Sequence, residues 1–109
     1  MQVQVSTDNH VDGSQGLNLH VESVVQTSLA RFGTRVTRVE VHFSDENSSA
    51  KGHEIDKRCA MEARVAGHPP VAVTHQGATI DQALAGAAGK LERILEKTFG
   101  RIKDSQMRG

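Results

Sequence analysis

The chain is 109 residues long, with 13 Lys+Arg against 13 Asp+Glu, 37% hydrophobic residues, no Trp or Tyr and three Phe. That length and apolar content supply one core and not two, the balanced charge gives no general pull toward nucleic acid or membrane, and the shortage of rings excludes the base-stacking platforms of single-strand binders. The lone Cys59 cannot close an internal disulfide, no apolar run reaches transmembrane length, and the N-terminus lacks a basic-then-apolar signal, so a cytoplasmic protein is expected.

Gln2 to Thr7 alternates polar and apolar residues, the pattern of a strand with one wet face. Asp8 to Gly16 is rich in turn and cap formers, with Ser14 placed to cap the helix that follows. Leu17, Val21, Val24, Val25, Leu29 and Phe32 then recur at steps of three and four, which marks one apolar helix face, and Gly33 is placed to end it. Val36 to Ser44 returns to period two, with Val39, Val41 and Phe43 inward and Arg38, Glu40 and His42 outward. A polar loop is expected from Asp45 to Glu54. The next strand puts Cys59, Met61, Ala63 and Val65 inside and Arg58, Glu62 and Arg64 outside, which makes Cys59 a small buried hydrophobe.

Gly67-His68-Pro69-Pro70 reads as a turn, after which Val71 and Val73 begin a fourth strand. Thr79 is a candidate N-cap for the longest helix, Asp81 suits the positive end of its dipole, and Ile80, Leu84, Ala87, Leu91, Leu95 and Ile102 line its apolar face. Gly86 and Gly89 each cost about 1 kcal/mol against Ala inside a helix, an expense that close approach to the first helix would offset. The order strand, helix, strand, strand, strand, helix gives an α+β two-layer sandwich: a four-stranded mixed sheet with both helices on one face. The first two strands run parallel by a right-handed crossover and the others pair as hairpins. Residues 1–104 form the single domain and residues 105–109 a frayed, polar tail.

Lys90, Arg93, Lys97 and Arg101 are spaced by three and four residues, so they stack along one side of the last helix. Such a row can meet successive phosphates, with affinity coming from counterion release and not from base reading. The same spacing, with Glu92 and Glu96 interleaved, also describes a solvated helix face in which the acids pair with their neighbours across a turn. Six histidines are present, but none lies at a ligand-pair spacing, so no metal or cofactor site is expected. No serine elbow, reactive cysteine or phosphate-cradling glycine loop occurs, the adjacent carboxylates Asp45-Glu46 read as solvent-exposed loop acids, and no enzymatic activity or small-molecule substrate is expected.

The opening strand followed by Asp8-Asn9, the strand Val39-Glu40-Val41-His42-Phe43, the stretch Asp56-Lys57-Arg58-Cys59 through Ala63-Arg64-Val65, and Ile80-Asp81 followed by Lys90-Leu91-Glu92-Arg93 together resemble the bacterial hibernation-promoting factor and ribosome-associated inhibitor family in its short form. The likeness spans nearly the whole chain. It implies a factor of stress or stationary phase that binds the small ribosomal subunit between head and body and occludes the path of messenger and transfer RNA. On that resemblance, Lys90, Arg93, Lys97 and Arg101, with Arg31 from the first helix, are the positions that would contact ribosomal RNA. Family members often carry an aromatic just before the second helix, where this chain has Gly77. No membrane partner is expected, weak homo-oligomerisation is left open, and the competing reading is a protein-interaction module that kept the sandwich and lost the ribosome site.

Overall fold

In the computed structural model the described residues are 1–8, 15–45 and 57–108, with side chains through residue 100. Strands β1 (Gln2–Thr7), β2 (Val36–Asp45), β3 (Lys57–Val65) and β4 (His68–Gly77) form one sheet in the order β1-β2-β3-β4, and helices α1 (Gln15–Leu29) and α2 (Ile80–Arg108) complete the chain. β1 pairs parallel to β2, as the crossover through α1 requires, and β2–β3 and β3–β4 are antiparallel. The expected Ser14 cap and most of the expected loop after Asp45 lie outside the described residues.

Period-two alternation becomes burial. Val39, Val41 and Phe43 of β2 and Cys59, Met61, Ala63 and Val65 of β3 are buried under the helices with Val21, Val25, Leu29, Leu84, Leu91 and Leu95. Removing each Val, Leu, Met or Phe side chain among them from water is worth roughly 1.5–3 kcal/mol, and no charged or polar residue among those described is buried with them. All three phenylalanines are core residues, and Phe32 and Phe99 tie the ends of the helix layer together at a ring-centroid separation of 5.1 Å.

Two boundaries differ from the sequence pattern. The α-helical part of α1 stops at Leu29, and a 3₁₀ segment, Ala30–Arg35, carries Phe32 into the core. The turn between β3 and β4 is shorter than Gly67 to Pro70: Val65 pairs with His68, leaving Ala66-Gly67 as a two-residue connection, and Pro69-Pro70 belong to β4. Proline lacks the N–H that a central strand needs, but β4 is an edge strand with no ladder on its outer side, so the ring is tolerated there. Gly33 and Gly67 have φ of 59° and 69°, backbone conformations that L side chains rarely adopt.

α2 begins as its sequence indicates. Gln82 N donates to Thr79 Oγ1 at 3.1 Å and Ala78 N donates to Gln82 Oε1 at 3.0 Å, a reciprocal cap that satisfies backbone donors at the helix start. Asp81, in the first turn, meets His20 Nε2 of α1 at 3.0 Å. The backbone stays helical to Arg108.

Candidate nucleic-acid interface

α2 packs on β3 and β4 through Leu84, Ala87, Ala88, Leu91, Leu95 and Phe99, which fixes the direction of every other side chain on it. At about 100° per residue, Lys90, Arg93 and Lys97 fall within roughly 60° of one another, from the margin of that core at Lys90 to the solvent side at Arg93, about 10 Å from first to last. Arg93 and Lys97 are exposed, and neither has a hydrogen bond or ion pair among the described residues. Lys90 is half-buried and donates from Nζ to the Thr74 carbonyl of β4 at 2.9 Å. That bond uses one of three ammonium donors and leaves the charge intact, because the acceptor is neutral. Arg101 continues the helix, but its side chain lies outside the described residues.

Arg31 stands apart from this row. Its Nη2 lies 3.1 Å from Glu96 Oε2 and 3.4 Å from Glu92 Oε2, and its guanidinium carbon lies 5.1 Å from the centroid of the Phe32 ring. Glu92 and Glu96 are therefore directed at the 3₁₀ segment that follows α1, and Arg93 and Lys97 keep their charge on the other flank. All the partners are partly exposed, so the bridge is worth a fraction of a kcal/mol up to ~1. Its consequence is directional: it screens Arg31 and spares Arg93 and Lys97.

A cation that the helical spacing does not mark is Arg35. It is exposed, its guanidinium carbon lies 5.2 Å from the centroid of the Phe99 ring, and it meets no carboxylate among the described residues. The sequence signal for it is weak, since Arg35 follows Gly33 beyond the helix and belongs to no periodic row.

The open face of the sheet is polar and largely self-paired. Arg38 and Arg64 face each other across β2 and β3, as do Glu40 and Glu62. Each like-charge pair is offset along its own strand, by Arg38–Glu40 at 2.9 Å and Arg64–Glu62 at 3.5 Å, and Arg38 also donates to Gln4 Oε1. Ser6 Oγ and His42 Nδ1 are 2.7 Å apart on the same face. His75, by contrast, points to the helix side in the row of Val71, Val73 and Gly77, so His42 and His75 cannot meet across the sheet. Among the described residues no three His, Cys, Asp or Glu side chains gather as metal ligands. Burial pushes the Cys59 thiol up to about 12, so at neutral pH it is an un-ionised packing group. Among the described residues no helix is long and apolar enough to cross a membrane.

The family model described as Sigma 54 modulation protein / S30EA ribosomal protein matches residues 3–103. Among curated proteins there is no match. Among solved structures, a ribosomal subunit interface protein from Coxiella burnetii superposes with a TM-score of 0.67 at 16% identity, covering 92% of this chain and 99% of that chain. The N-terminal domain of Protein Y from Thermus thermophilus gives a TM-score of 0.63 at 17% identity, covering 90% and 99%. At such identities the likeness is one of fold: the same four-stranded sheet and two helices.

Proposed function

This chain belongs to the Sigma 54 modulation protein / S30EA ribosomal protein family, and we propose that it is a cytoplasmic hibernation factor that binds small-subunit ribosomal RNA under stress or in stationary phase and inhibits translation by occluding the messenger and transfer RNA path. The observation that carries this reading is the division of charge on α2. Glu92 and Glu96 are engaged by Arg31, and Arg93 and Lys97 remain exposed beside a tethered Lys90. A neutral chain with its acids and bases mixed would gain nothing near RNA, whereas one with an uncompensated cationic flank attracts phosphate locally. The exposed cations of that flank suit phosphate oxygens, so the recognition proposed is of backbone and shape. The mechanism is steric exclusion by a rigid two-layer body, with Lys90, Arg93, Lys97 and Arg101 as the phosphate contacts. Arg31 acts on this site indirectly, by occupying the two carboxylates.

Sedimentation of a lysate from starved cells tests the proposal. The protein is expected in the ribosomal fractions at low salt and at the top of the gradient after a high-salt wash. Finding it at the top at low salt would reject the reading and favour a protein-interaction module built on the same sandwich.

A further inference from the structure

We infer that Gly86 is the positioning residue of the cationic row: its bare backbone leaves room for the ring of His75 and so lets α2 approach β4 closely enough that Lys90 reaches the Thr74 carbonyl. The inference rests on the RNA-binding reading above. A Cβ placed on Gly86 would fall 1.9 Å from His75 Cδ2, 2.2 Å from Nε2 and 2.4 Å from Cγ. Because Cγ is among the atoms struck, a swing of the ring tip does not relieve the overlap; the whole ring or the helix must move. One helical turn further along the same flank, Lys90 Nζ donates to the carbonyl of Thr74, the neighbour of His75 in β4.

A second close approach lies at the start of the helix, where a Cβ on Gly77 would come within 2.8 Å of Ala83 N and of Gln82 Cβ. Close approach and tether are thus consecutive contacts between one helix flank and one edge strand. The partner of Gly86 is β4, not the first helix toward which the sequence reading directs it. A bare backbone at residue 86 is what lets a four-carbon lysine stem span from α2 to the strand. With Lys90 held there, its charge is fixed in place before any phosphate arrives, and the binding cost of ordering a long side chain is already met by the fold.

The test compares Gly86→Ala, His75→Ala, the double variant and His75→Trp for two readouts: thermal unfolding, and affinity for purified small ribosomal subunits across a salt series. Gly86→Ala is expected to bind about three- to tenfold more weakly, with a salt slope reduced by about one, even though Ala favours helix over Gly. The double variant should bind more tightly than Gly86→Ala, because removing the ring makes room for the new Cβ, and His75→Ala is the reference for loss of the ring itself. His75→Trp presses on Gly86 from the strand side with the helix sequence unchanged, and should reproduce the loss; if Gly86→Ala does not fold, this variant decides. Unchanged affinity and slope in folded Gly86→Ala or in His75→Trp, or failure of the double variant to recover, would overturn the assignment. Failure of the RNA-binding reading is seen separately, as an unaltered protein whose binding ignores salt.

Discussion

Arg93→Glu/Lys97→Glu is expected to bind small ribosomal subunits about a hundredfold or more weakly than the unaltered protein, with no loss of folded structure. Each charged hydrogen bond to a phosphate contributes ~1.5 kcal/mol or more, so two lost contacts correspond to about two decades, and reversal adds repulsion. The fold is spared because both side chains are exposed and make no ion pair among the described residues; surface changes of this kind stay within ~0.5 kcal/mol. Lys90 is kept out of the variant deliberately. A glutamate there would face the Thr74 carbonyl that the ammonium now satisfies, and the binding loss would mix with a local structural one. Equilibrium binding to purified subunits, with thermal unfolding alongside, measures both halves of the expectation.

The largest stability effect is expected from Phe43→Ala. Phe43 is 0% exposed on the helix-facing side of β2, opposite Cys59 on β3 and Thr7 on β1. Truncating a buried Phe costs ~3–5 kcal/mol in lost transfer energy and cavity, which is roughly a fifth or more of the ~5–15 kcal/mol that holds a domain of this size together. In urea the unfolding midpoint should drop by about 2 M. Leu19→Ala is the matched control: Leu19 is 61% exposed on α1, and its removal should move the midpoint little.

Sequence pattern and structure agree wherever one local rule dominates. The alternation in Gln2–Thr7 is β1, and the inward set Cys59, Met61, Ala63 and Val65 is the buried face of β3, because side-chain direction along a strand follows from parity alone. Thr79 caps α2 because its hydroxyl and Gln82 are three residues apart, a relation contained in the sequence. Disagreement appears where the outcome depends on what lies across the fold. Pro69-Pro70 reads as a turn because a proline in an interior strand is forbidden, and nothing local says that β4 is an edge.

The site divides in the same way. A row at three- and four-residue spacing is visible in the sequence, so Lys90, Arg93 and Lys97 share a side of α2 as their numbers require. Which of them carries an uncompensated charge is not visible. Local reasoning pairs Glu92 and Glu96 with the lysines and arginines one turn away; the structure pairs them with Arg31, 65 residues from Glu96, across the gap between the helices. The same long-range pairing screens Arg31 and leaves Arg93 and Lys97 outside any bridge among the described residues. Gly86 is a third case, since its role depends on His75 lying beneath it.

The salt dependence of binding between the unaltered protein and purified small ribosomal subunits tests the central claim most directly. Three or four phosphate contacts predict an association constant whose logarithm falls with the logarithm of salt concentration at a slope of about −2 to −4. An affinity that stays constant from about 50 mM to about 200 mM salt would contradict the account, since no flank of α2 could then be gripping phosphate.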